Sequence, residues 1–143
     1  MTDGELLAAL EACTLPEGDF HHVDHVRAAY LYLRNGGFAE AIARMTSALR
    51  RYAAAHGKAA RYHETITVAF LALVNQRLHE QGDGGGWEGF IRENPDLLDQ
   101  RILLHYYRPD TLGSDRARRV FVLGELSPPP YEPGGALTTN RSS

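Results

Sequence analysis

The sequence predicts an all-α fold, a single bundle of four principal helices with short helical additions, on three observations. Apolar residues recur every three or four positions along four long segments, the period of a helix with one buried face. Stretches bearing Gly and Pro separate those segments. No segment alternates apolar and polar residues over a useful strand length, and no internal repeat is present.

Thr2 and Glu5 have the spacing of a capping box, in which hydroxyl and carboxylate satisfy the first free amides of a helix. A helix from about Asp3 to Cys13 follows, with Leu6, Leu7 and Leu10 on one face. Leu15–Asp19 reads as a loop, and Asp19 is placed to cap a second helix running to about Arg34. Asn35-Gly36-Gly37 stops it, because glycine takes up the left-handed conformation cheaply. A third helix is expected from about Phe38 to Ala55, with Phe38, Ile42, Met45, Leu49 and Tyr52 as its buried stripe. His56-Gly57-Lys58 ends it. The fourth runs from near Ala60 to about Gln81, with His63, Ile66, Phe70, Leu73 and Val74 facing inward. Gly82–Gly86 reads as a flexible linker, followed by a short helix from Trp87 to Glu93. Pro95 opens another, near Asp96 to Tyr106, since proline suits a first helical turn. Arg108-Pro109-Asp110 is a turn, and Ser114 or Asp115 caps a last short helix to about Phe121. The domain is expected to span residues 1–123. Residues 124–143, rich in Pro, Gly, Ser and Thr, are expected to form an extended tail that cannot pack a core.

Length and charge narrow the function. The chain has 143 residues and 15.9 kDa, room for one domain. A net charge of −3 and a pI near 6.1 argue against nucleic acid, whose binders need a basic stripe. No apolar run reaches the roughly 18–20 residues of a membrane span. The acidic start, Met1–Glu5, lacks the basic opening of a secretory signal. Cys13 is the single cysteine, so no disulfide forms within the chain and no cysteine-based zinc knuckle is possible. These features point to a cytoplasmic protein with a small-molecule partner. Lys58 is the only lysine among many arginines, which reads as a GC-rich genome rather than chemistry.

Histidine is the unusual residue. Three of the seven lie in Phe20-His21-His22-Val23-Asp24-His25. His22 and His25 are three apart and His21 and His25 four apart, and either spacing puts two imidazoles on one helix face, with β-carbons roughly 5–6 Å apart. His21 sits nearer the loop, which favours His22. His63 heads the inward stripe of the fourth helix. Tyr62–Thr67 begins like the zinc-peptidase run but has Thr67 where the second His belongs, so that motif is absent. Two imidazoles from one helix and one from another can make a three-histidine site with open positions. The expectation is a small metal-dependent enzyme in which His22, His25 and His63 ligate a divalent transition metal (zinc, copper, iron or nickel). Glu64 and Tyr62 are its candidate catalytic groups. Tyr30 and Tyr32 could lend hydroxyls to a pocket, though aromatic stripes more often belong to a core. Asp24 is a candidate acceptor for an imidazole N–H, although a carboxylate there also suits the helix dipole. His105 could join the site, and His56 and His79 read as helix-end surface residues. The alternative is a non-catalytic interaction or regulatory module with structural or metal-binding histidines. A third reading uses His63 with Glu64 or a tyrosine as a cofactor-free acid/base pair. The Gly82–Gly86 loop lacks the ending of a phosphate loop, and Cys13 has no nearby histidine to activate it.

Three segments carry a resemblance: Phe20–Arg27, Arg61-Tyr62-His63-Glu64-Thr65-Ile66-Thr67, and Asn94-Pro95-Asp96-Leu97-Leu98 through Tyr107. Together they resemble a family of small, uncharacterised bacterial all-helical proteins with F-x-H-x-x-H-[VL]-R and [KR]-Y-H-x-T-I-T motifs. The match covers roughly residues 20–123 and departs from the pattern at Gly124-Glu125. It implies a shared site rather than an activity, and it favours His22 over His21 as the partner of His25.

Overall fold

The structure, a computed structural model, describes residues 1–127. It is all-α, and among the described residues there is no strand. The helices are α1 (Asp3–Glu11), α2 (His22–Asn35), α3 (Phe38–Ala55), α4 (Glu64–Gln81), α5 (Trp87–Glu93), α6 (Pro109–Leu112) and α7 (Asp115–Arg119). Turns of 3-10 helix occupy Glu17–Asp19, Ala59–Arg61, Pro95–Leu98 and Gln100–His105. No helix among the described residues is long and apolar enough to cross a membrane.

α2 is the central element. Its run Ala28-Ala29-Tyr30-Leu31-Tyr32-Leu33 is buried all the way round, the pattern of a helix with neighbours on every side. α3 and α4 pack on it and on each other, and α1 closes the α2–α3 side through Leu6 and Leu10. Two tyrosines on α2 carry hydroxyls into this interior, and each finds an acceptor, as buried polar groups must. Tyr30 donates to the Asp83 carbonyl at 2.8 Å and Tyr32 to the Glu11 carboxylate at 2.6 Å. The stripe of α3 runs through Met45, Leu49 and Tyr52, while Phe38 at its start stays exposed. On α4 the inward set is Thr65, Ala69, Phe70, Leu71, Leu73 and Val74.

The capping box at α1 is present: Glu5 N–H donates to Thr2 Oγ1 at 3.1 Å and Thr2 N–H to Glu5 Oε1 at 2.8 Å. Several boundaries differ from expectation, each for a local reason. Asp19 does not cap α2. It closes a 3-10 turn, and the chain runs on to His21, whose N–H donates to Asp24 at 2.9 Å. Asp24 therefore serves the helix start. Gly36 ends α2 in extended rather than left-handed backbone, at φ −159°. The expected helix at Asp96–Tyr106 is two 3-10 segments, because the Asp99 carboxylate accepts the Arg101 N–H at 2.9 Å and restarts the chain. Arg108–Asp110 lies in a one-turn helix, α6, rather than a bare turn. Ser114 is the cap of α7, accepting the Ala117 N–H at 3.1 Å.

The glycine loop is packed rather than a spacer. Gly84 has φ +70°, and a β-carbon on Gly89 would lie 2.0 Å from the Gly84 carbonyl oxygen, so both positions need the smallest residue. At the other end, residues 120–127 run without helix but not without anchors. Leu126 N–H donates to the Tyr106 carbonyl at 3.0 Å, and the Glu125 carboxylate accepts from Arg108 N–H and the Thr111 hydroxyl. Segment 124–127, expected within a loose tail, is thus tied to the helical body. The rest of that tail lies outside the described residues.

Thr65 holds this last segment. Fully buried on α4, its hydroxyl donates to the Val120 carbonyl at 2.9 Å and accepts the Val122 N–H at 3.1 Å. Thr65→Val keeps the shape and strands both backbone groups. It should cost about 1–3 kcal/mol in urea unfolding, and Thr65→Ser should cost less.

Candidate functional site

A cleft opens where the start of α2, the second half of α3 and the start of α4 meet. It has two adjoining lobes of about 560 and 370 Å³, a size that suits a small organic ligand. Phe20, His25, Leu49, Ile66 and Thr67 line both lobes. The larger lobe adds Tyr52, His56, Lys58, Arg61, Tyr62 and His63, and the smaller adds His22, Met45, Phe70 and Leu103. Four of the histidines therefore face one depression, although they come from three separate places in the chain.

Each plays a different part. His63 is not on the face of α4 but at its N-cap. Its Nδ1 accepts the Ile66 N–H at 3.1 Å, and its Nε2–H donates to the Leu112 carbonyl at 2.8 Å. Both nitrogens are thus spent, one on the first turn of α4 and the other on the end of α6. His22 donates Nε2–H to the Leu97 carbonyl at 3.0 Å and sets its ring edge against Phe70, with centroids 4.9 Å apart. His25 stacks on Phe20 with centroids 4.0 Å apart and planes at 21°. Its ring nitrogens have no hydrogen-bond partner among the described residues. Burial, and then the neighbouring His22, press its pKa down to about 4, so the ring is neutral at ordinary pH.

In this structure His22 Nε2 and both ring nitrogens of His63 are engaged by backbone groups. Among the described residues no group of three or more His, Cys, Asp or Glu side chains could hold a metal ion. A divalent ion of zinc, copper, iron or nickel on His63 would take the α4 N-cap acceptor at Nδ1 or, bound through Nε2, cost both that cap and the donor to Leu112, so ligation there competes with the fold's own bonds.

The remaining sequence candidates resolve as follows. Tyr62 lines the larger lobe, but its O–H donates to Glu64 at 2.6 Å, and burial followed by that bond pushes its pKa up to about 12. The same Glu64 oxygen accepts from Arg50 at 3.1 Å, and the guanidinium lies 5.0 Å from the Tyr62 ring centre. Glu64 is not among the residues lining the cleft, so this triad braces the cleft's outer wall. His21 is exposed at the start of α2, and His79 and His105 are exposed as well. Tyr30 and Tyr32 belong to the core, and burial raises both phenols.

Sequence reasoning missed Phe20, Tyr52, Arg61 and above all His56. Read as a surface residue, His56 in fact lines the cleft, its ring 4.5 Å from Tyr52, with a buried Nε2 that no group among the described residues satisfies. The available signal was the crowding of His56, Lys58 and Arg61 around Gly57, whose φ of +70° folds this connection back over the cleft. No family model, curated protein or solved structure matches the chain, so the functional reading rests on this geometry.

His63→Ala should destabilise the fold by about 2 kcal/mol through loss of a cap and a buried acceptor's partner. Zinc added to the wild type should leave the His63 ring resonances unmoved in NMR spectra. His25 produces a separate pH effect. Its unfolded ring titrates near 6.5 and its folded ring near 4, so its contribution is complete above pH 6.5. Between pH 6.5 and 4 the unfolded chain takes up a proton that the folded chain refuses, and stability falls by about 3 kcal/mol in all. In urea unfolding at pH 7.5 and 4.5, His25→Phe should lack that portion of the fall, the carboxylate contributions being common to both proteins.

Proposed function

We propose that this protein is a small-molecule-binding helical domain whose ligand lies in the two-lobed cleft against Phe20 and Tyr52, with His25 meeting the ligand's polar atom. The carrying observation is His25 itself: a neutral imidazole at the junction of both lobes, held in place by stacking, with no hydrogen-bond partner for either nitrogen among the described residues. A neutral ring offers one donor and one acceptor at once, which suits a hydroxyl, a carbonyl or an amide. The surrounding walls, Leu49, Ile66, Phe70 and Met45, are apolar and bury the body of such a molecule.

Binding is favoured over proton abstraction by the same pKa. A base that titrates near 4 has little driving force to remove a proton at neutral pH. Tyr62, pushed up to about 12 and committed to Glu64, is likewise poorly placed to supply a phenolate. His25 then orients the ligand rather than transforming it.

A fragment library screened by ligand-observed NMR tests this. Binders should shift the His25 ring and Phe20 amide resonances together and raise the melting temperature. Ala53→Trp, which fills the larger lobe from α3, should remove those shifts while leaving the far-UV circular dichroism unchanged. Binders that perturb other surfaces and leave His25 and Phe20 unmoved would overturn the reading.

A further inference from the structure

The polar groups at the mouth of the larger lobe are unevenly satisfied. Lys58 is paired with Glu17 at 3.0 Å, so those two charges largely cancel. Arg61 lines the same lobe, is exposed, and makes no side-chain hydrogen bond or ion pair among the described residues. His56 presents a buried ring nitrogen with no partner among the described residues. Among the described residues Glu17 is the one carboxylate in the lining, and it is taken by Lys58.

Resting on the small-molecule reading above, we propose that the ligand is an organic anion, a flat apolar body with a carboxylate held by Arg61 and His56 and a second polar atom left to His25. The field there is positive in a chain whose net charge is −3. Lys58 chiefly, with His56 and Arg61 adding to it, also draws the Glu17 carboxyl below its usual range. A guanidinium presents paired N–H donors that match the two oxygens of a carboxylate. Tyr52, Phe20 and Leu49 line the same lobe and offer apolar surface on which a planar hydrocarbon stacks.

The probes are 6-hydroxy-2-naphthoate and its neutral isostere 6-hydroxy-2-naphthamide, titrated into the full chain by calorimetry, with the His56 ring followed by NMR. The carboxylate probe should bind at least tenfold more tightly, shift the His56 ring resonances, and weaken as salt is added. Arg61→Gln, an exposed change, should cut the preference below threefold. Equal affinities, both abolished by Ala53→Trp, would overturn the anion assignment and leave the cleft reading standing. Failure of both probes to bind, or binding of both that Ala53→Trp does not touch and that leaves the wild-type Phe20 and His25 resonances unmoved, would overturn the two together.

Discussion

Short helices leave carbonyls without donors, and a chain that ends in several short helices accumulates such carbonyls inside the fold. Here the long helices supply the donors through their side chains. From α2, His22 reaches the Leu97 carbonyl and Tyr30 the Asp83 carbonyl. Tyr52 of α3 reaches Leu15, buried beneath α1. His63 at the head of α4 reaches Leu112, and Thr65 reaches Val120. Tyr107 adds a bond to the Val122 carbonyl from within the C-terminal part itself. Each bond ties a long helix or a buried ring to an irregular segment that has too few ladder bonds of its own. The arrangement of the C-terminal third on α2 and α4 depends on this set.

That structural duty decides what the cleft can do. Two histidines facing it, His22 and His63, are anchored to carbonyls, and His63 has no nitrogen left. His25, held only by the face of Phe20, keeps both nitrogens for a visitor. The connection from α3 to α4 helps to line the cleft, bringing His56, Lys58 and Arg61 beside Tyr52 of α3. The same wall is stiffened from outside by Arg50, Tyr62 and Glu64.

Much of the architecture was legible as pattern. Thr2 and Glu5 announced α1, the three-and-four spacing through Met45, Leu49 and Tyr52 announced α3, and the absence of alternation excluded a sheet. Local pattern failed where a side chain took over a backbone task. Asp99 split one expected helix into two 3-10 segments, and His21 displaced Asp19 at the start of α2. Glu125 fastened the start of a segment whose composition suggests a free tail, and Thr65 tied down the residues just before it.

The candidate site shows the same division. Sequence by itself determined that the fold is helical and that His25 and His22 share a helix face. These are consequences of helical period, which acts over a few residues. His63, expected within a helix from near Ala60, is instead the N-cap of α4, after a 3-10 turn at Ala59–Arg61. Only the tertiary structure decided what each imidazole touches. The acceptors of His22 and His63 lie 75 and 49 residues away in the chain, and the phenyl face on His25 comes from a loop. A histidine's role is set by what meets its two nitrogens. For buried rings, packing between distant segments settles that, and no local spacing encodes it.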